Sequence, residues 1–268
     1  AAENCNLYFH TDTVPAGDGW RFPPLALSVA ENKLFGRGAA DMKGTIVAAL
    51  AAVRAAQRYQ LSLRYNPVFL LCTDEEGGLY PGIRYLAEQQ LFHGHLLSFN
   101  GGAVPRIWAG CFGSIDIKII VSGRSAHSGD PLQGINAIEA ALPLMNALYQ
   151  LKGEVEQRVS AMPAPPHYQG RPLTALLTLA AAHGGSKGST IPERFELLVN
   201  RRYAPEEPFA DVWQELTQCV DKAMQGSAAS DVTLQLIGHL APVADPTGPH
   251  WPRWQAALSQ GFGFPPAE

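Results

Sequence analysis

The sequence predicts an α/β protein: a mostly parallel-sheet domain interrupted by an inserted α+β domain. Three observations lead there. From residue 7 to about 110, apolar β-rich runs alternate with helical stretches, the order that places a parallel sheet at the centre of a layer. Near Gly113 the pattern changes to apolar–polar alternation, the mark of antiparallel strands with one exposed face. Strand and helix signals of this second kind then continue to about residue 239, and a short tail follows. Residues 1–113 with 240–268 are therefore assigned to one domain and 114–239 to the insert.

The elements follow in order. "LYF" (7–9) is an apolar strand that ends at His10. "TIVAALAAVRAAQRY" (45–59) is Ala-rich, with Leu and Val at helical spacing. "PVFLLCT" (67–73) is a short continuous apolar run, as in a strand covered on both faces. "GIRYLAEQQ" (82–90) returns to helix. In the insert, "SIDIKIIVSG" (114–123) reads as a half-exposed antiparallel strand. "GINAIEAALPLMNALYQL" (134–151) reads as a helix bent or interrupted at Pro143. A Pro-rich loop (161–172) leads to strands "LTALLTLAA" and "RFELLVNRRY". The amphipathic helix "FADVWQELTQCVDKAM" and the strand "DVTLQLIGH" close the insert.

Composition excludes several classes. A net charge of -4 gives no reason to expect nucleic acid or an anionic membrane as a partner. No apolar run approaches the ~20 residues of a membrane span, and no secretory signal pattern opens the chain. Cys5, Cys72, Cys111 and Cys219 are widely spaced and form no CxxC pair. They suit buried thiols in a reducing compartment, so a cytoplasmic location is expected.

The chemistry gathers at strand ends. In "LYFHTDTVP" an apolar run stops at His10, with Asp12 two positions on. A neutral imidazole is a common metal ligand and usually needs a carboxylate or carbonyl to fix its orientation. A polar turn is the plain alternative. "GRGAADMKG" places Asp41 in a Gly-rich loop before a helix, where an N-terminal charge is equally ordinary. "CTDEEGG" sets Asp74, Glu75 and Glu76 at the end of an apolar strand. Adjacent carboxylates repel, so this arrangement asks for a cation or a proton. Open α/β sheets bind ligands at the carboxyl ends of their strands, where all three motifs fall. One His, a loop acid and a double Glu are the parts of a hydrolytic metal centre.

"FHTDTVP", "LFGRGAADMKG" and "TDEEGG", in this order, resemble the dinuclear zinc peptidase and deacylase family of acetylornithine deacetylase, succinyl-diaminopimelate desuccinylase, aminoacylase and carboxypeptidase G-type enzymes. "GRSAHSGDPLQGINAI" resembles that family's lid motif, and "GGSKGSTIPE" and "NRRYAPE" its later lid strands. The resemblance implies a metal-dependent amidohydrolase for N-acyl amino acids or short peptides, with two divalent ions, zinc first and cobalt or manganese as alternatives. It implies His10 as a ligand oriented by Asp12, and Asp41 as a bridging ligand just before a cis peptide to Met42. Glu75 would be the general base and acid, and Glu76 a ligand of the second ion. His127 would stabilise the oxyanion from the lid, in the family often from a partner subunit. Arg202 would hold a substrate carboxylate, with Arg201 the neighbouring alternative. A homodimer through the insert is implied as well.

Three departures from the family pattern stand out. Asn100 stands where an acidic ligand for the first ion is expected, and it can offer only a neutral oxygen. Ser189 stands where the family's N-x-I-P signature, at the substrate, has Asn. The family's last His ligand and its opening strands have no counterpart in these residues, so the first domain is expected to be incomplete at both ends. These departures keep open a second reading, a non-catalytic relative serving as a binding or dimerisation module.

Overall fold

The computed structural model describes residues 3–78, 80–100, 110–244 and 251–263. The chain divides into two compact units, Ala1–Pro105 and Arg106–Glu268. The Gly101–Gly102 loop after Asn100, and parts of the expected C-terminal return, lie outside the described residues.

In the first unit the order is β1 (Asn4–His10), a hairpin of β2 (Ser28–Ala30) and β3 (Lys33–Phe35), α1 (Gly44–Arg58), β4 (Asn66–Cys72), α2 (Pro81–Glu88) and β5 (His95–Ser98). The sheet order is β4-β1-β5, with both pairs parallel. β1 takes the centre because both its faces are occupied. Phe9 is fully buried against Met42 and Ile46, with Leu7 and Phe69 beside it. On the other face Asn6, also fully buried, donates its side-chain amide to the carbonyls of His93 and His95, at 2.8 and 2.9 Å. That stitches the head of β5 to the middle strand. Pro81 stands at the first helical position of α2, where its missing N–H costs nothing.

One expectation shifts here. β4 is an edge strand, and Leu71 on it is 54% exposed, so among the described residues it is not covered on both faces. The four-residue β5 and the β2–β3 hairpin are too short to give a periodic signal in the sequence.

The second unit runs β6 (Gly113–Ser122), β7 (Ala126–His127), α3 (Ala137–Val155), β8 (Leu176–Gly184), β9 (Thr190–Ile191), β10 (Arg194–Tyr203), α4 (Phe209–Met224), β11 (Asp231–Leu240) and α5 (Trp251–Phe262). Four strands form an antiparallel sheet in the order β11-β6-β10-β8. Its core is the face of that sheet that carries the odd-numbered positions of β6 and β10, including Ile117, Ile119, Leu197 and Val199, packed against Leu144 and Leu148 of α3 and Leu216 of α4. β6 lies in the interior of the sheet and is more buried than its alternation suggests. Past β11, Val243 exchanges backbone hydrogen bonds with Cys111, so the chain enters and leaves this sheet side by side. The tail 240–268, expected to return to the first domain, falls within the second unit.

α3 begins three residues later than the sequence predicts, because the Asn136 side chain caps it by accepting from the amides of Ile138 and Glu139. It also continues to Val155 and is not interrupted at Pro143. Pro143 lies on the exposed side, where water can satisfy the Glu139 carbonyl it leaves without a donor, while the opposite stripe stays buried. Among the described residues no helix is long and apolar enough to cross a membrane. All four cysteines are free thiols.

Candidate metal centre

The strand ends of the first unit assemble the site. β1 and β4 stop level with each other, His10 opposite Cys72, and β5 stops at Ser98 opposite Tyr8. The segments leaving these three strands therefore emerge at one edge of the sheet and carry Asp12, Glu75 and Glu76, and Asn100.

His10 is fully buried, and its orientation is fixed on both sides. Its backbone amide donates to the Met42 sulfur at 3.3 Å. Nδ1 lies 3.2 Å from the Asp12 carbonyl and 3.4 Å from Asp12 Oδ1. Asp12 is itself held, since its Oδ2 accepts from the Glu76 amide at 2.9 Å. Burial pushes the Asp12 carboxyl up, but the backbone amides of Glu76 and Glu75 outweigh it and hold the group below the ordinary carboxylate range. With Nδ1–H directed at Asp12, Nε2 is the nitrogen that could bind a metal ion.

Nε2 meets only carboxylates. Asp41 Oδ1 is 3.0 Å away and Glu75 Oε2 is 4.0 Å away. One ligand atom each from His10, Glu75 and Glu76 lie within 4.8 Å of one another. Burial lowers the pKa of His10, and the Asp41 hydrogen bond with the Glu75 and Asp41 charges overrides this to raise it. Burial raises the Glu75 carboxyl, helped by the charges of Glu76, Asp41 and Asp12 and opposed by His10. A lone pair facing the carboxylates of Asp41 and Glu75 is repulsive unless a proton or cation lies between them. The donor set of one imidazole and several carboxylate oxygens fits a divalent transition ion such as zinc.

The loop carrying Asp41 is shaped for close approach. Gly38, at φ +76°, takes a left-handed conformation, and a Cβ there would lie 2.5 Å from the Thr13 methyl. The Asp41–Met42 peptide is cis, and the Asp41 side chain is 56% exposed. Asp74 turns away from the cluster: its Oδ2 accepts from the Gly82 amide at 2.7 Å, in the first turn of α2. The ordinary helix-terminus role thus belongs to Asp74.

Asn100 comes to the centre, in contact with Glu75. Its side-chain nitrogen donates to Glu75 Oε1 at 2.7 Å. The sequence marks Asn100 as a departure but carries no signal of this pairing, which spans 25 positions and joins the ends of two strands.

The remaining candidates belong to the second unit. β7 pairs with β9, setting His127 opposite Thr190, and the Ser128 amide donates to the Ser189 carbonyl. His127 and Ser189 are therefore neighbours, both exposed. His127 Nδ1 accepts from the Gly129 amide at 3.0 Å, so the ring proton of the neutral imidazole is on Nε2. On β10 the two arginines part as strand alternation requires. Arg201 is buried and its Nη2 donates to Glu207, while Arg202 is exposed.

A buried histidine, its neighbouring aspartate and a ring of acids at the carboxyl edge of a parallel sheet form a cluster that could hold a divalent cation in an α/β protein. The profile of peptidase family M20/M25/M40 matches residues 6–246, and the chain belongs to that family. Acetylornithine deacetylase of Salmonella arizonae is 32% identical over 259 residues, 96% of this chain and 58% of that protein. The Klebsiella pneumoniae acetylornithine deacetylase is 31% identical over 198 residues, 73% of this chain and 49% of that protein. The chain thus spans about half the length of these curated relatives. Among solved structures, the dipeptidase Dug1p of Saccharomyces cerevisiae superposes with a TM-score of 0.81 at 16% identity, over 99% of this chain and 67% of that one. Human carnosine dipeptidase 1 gives 0.78 at 20% identity, over 99% and 68%. At these identities the likeness is one of fold.

Proposed function

We propose that the protein is a metal-dependent amidohydrolase that cleaves an N-acyl amino acid or a short peptide. The observation that carries this reading is the buried His10 Nε2, backed by Asp12 and aimed at the carboxylates of Asp41 and Glu75. His10, Asp41 and Glu76 would hold two divalent ions, with zinc the first choice and cobalt or manganese the alternatives. Bound there, the ions supply Lewis acidity that polarises the amide carbonyl and makes water a stronger acid.

The protein groups do the rest. Glu75 takes the proton from the attacking water and passes it to the leaving amine nitrogen. Burial, with the charges of Glu76, Asp41 and Asp12 and against that of His10, holds its carboxyl above the ordinary glutamate value, and the role requires a group that both accepts and returns a proton. His127, with its proton on Nε2, donates to the carbonyl oxygen as negative charge develops there. Arg202, exposed on β10, binds a substrate carboxylate in a two-pronged contact, and Ser189 lies beside His127 to help orient the substrate. The two acetylornithine deacetylase relatives favour an acylated amino acid over a longer peptide.

The test is Glu75→Ala. Loss of a general base lowers kcat by at least about 100-fold, with metal content unchanged. Near-normal turnover removes Glu75 from the mechanism. Assays against acylated amino acids and dipeptides, with wild-type protein, then separate the two substrate classes.

A further inference from the structure

We propose that Asn100 is a positioning residue for Glu75 and not a ligand of the metal centre. The inference rests on the proton-carrying role given to Glu75 above. The side-chain NH2 of Asn100 donates to Glu75 Oε1 at 2.7 Å, so the amide nitrogen and not the oxygen faces the glutamate. A metal ligand at this position would need the opposite turn of the amide, with its oxygen towards the ions. Asn100 also stands on a rigid base, two residues beyond β5, which pairs with β1 from Cys5–His95 to Tyr8–Ser98. Its own backbone amide leans on Ser98 Oγ at 3.5 Å.

The consequence is a division of labour between the two oxygens of Glu75. Oε1 is occupied by Asn100, and Oε2 is left facing His10 Nε2 at 4.0 Å, towards the donor cluster. A glutamate has three side-chain torsions, and one directed hydrogen bond at its tip selects among them. The donor matters as well: an amide offers Glu75 an N–H, which an ionised acid in place of Asn100 could not.

The experiment uses the intact protein and three variants, Asn100→Ala, Asn100→Asp and Asn100→Gln. Zinc affinity and stoichiometry are read by competition with a chromophoric chelator, and kcat and KM are read separately at saturating zinc. A misplaced catalytic group costs up to about 100-fold in rate. Asn100→Ala is therefore expected to lower kcat by about 10- to 100-fold, with KM and zinc binding unchanged. Asn100→Gln, which keeps the amide donor, is expected to recover part of kcat. Asn100→Asp is expected to bind zinc no more tightly than wild type. Three outcomes overturn the proposal: Asn100→Ala losing one zinc equivalent, Asn100→Asp tightening one equivalent and raising activity at limiting zinc, or Asn100→Ala leaving kcat untouched. If Asn100→Ala folds poorly, Asn100→Ser, which also lacks the amide, is judged by the same readings. The zinc measurements decide the ligand question even if Glu75→Ala turns out active, so failure here is distinct from failure of the proposed function.

Discussion

Asp12 illustrates how much of the site a two-residue spacing carries. Its carboxylate and carbonyl face one nitrogen of His10 and leave the other for a metal ion. Removing such a partner typically costs about 10- to 100-fold in metal affinity. Asp12→Ala is expected to weaken zinc binding by that factor, measured by chelator competition; wild-type affinity would show that His10 needs no orienting group. His10, Asp12, Asp41, Glu75 and Glu76 were singled out in the sequence by residue type near recognisable elements and by the family resemblance, and the fold brings them close to one another. The Arg201–Arg202 choice was legible only as a parity: alternation says that they part, while the burial of Arg201 comes from Glu207, six residues on. The Asn100 contact was not legible, because it depends on how an amide turns at the end of a four-residue strand.

The elements of the second unit make their own predictions. Asn136 satisfies two amides at the start of α3 and is bonded in turn to Glu139. Its replacement by Ala is expected to cost about 1 kcal/mol, seen as a lower midpoint in chemical denaturation. Glu207 is a larger matter. It pairs with fully buried Arg201, with Arg158 and with the Ala204 amide. Glu207→Ala would strand a buried guanidinium and is expected to cost about 3 to 5 kcal/mol; a loss below 1 kcal/mol would mean that Arg201 finds another partner.

Glu206 gives a pH dependence. Hydrogen bonds from its own amide, from the Ala161 amide and from Ser160 hold its carboxyl low against the effect of burial. A carboxyl lowered on folding contributes stability above its unfolded pKa and loses it as pH falls through the folded value. Wild type should therefore lose thermal stability on acidification below the ordinary glutamate range more steeply than Glu206→Gln; parallel curves would refute the coupling. The long helices and strands here were legible from periodicity. The start of α3 was misplaced because a single cap, and not hydrophobic spacing, decides where the helix begins.

As a whole, the molecule joins a small parallel-sheet unit that bears the charged centre to an antiparallel unit with the larger apolar core. The α/β class and the change of character near Gly113 were visible in the sequence, because parallel and antiparallel strands bury different faces. The bridge from Cys111 to Val243 just past β11 was not, since a single backbone pairing leaves no periodic signal. We propose in addition a homodimer through residues 114–239, which the family resemblance implies; sedimentation equilibrium of the intact protein is expected to give twice the chain mass, and a strict monomer would refute it.

The most direct test of the account is zinc binding by the intact protein, measured by equilibrium dialysis beside His10→Ala. The account predicts two equivalents for wild type, and for His10→Ala the loss of one equivalent with loss of amidase activity. Wild-type protein that binds no metal, or His10→Ala that binds it as well as wild type, would contradict the claim that this strand edge is a metal centre.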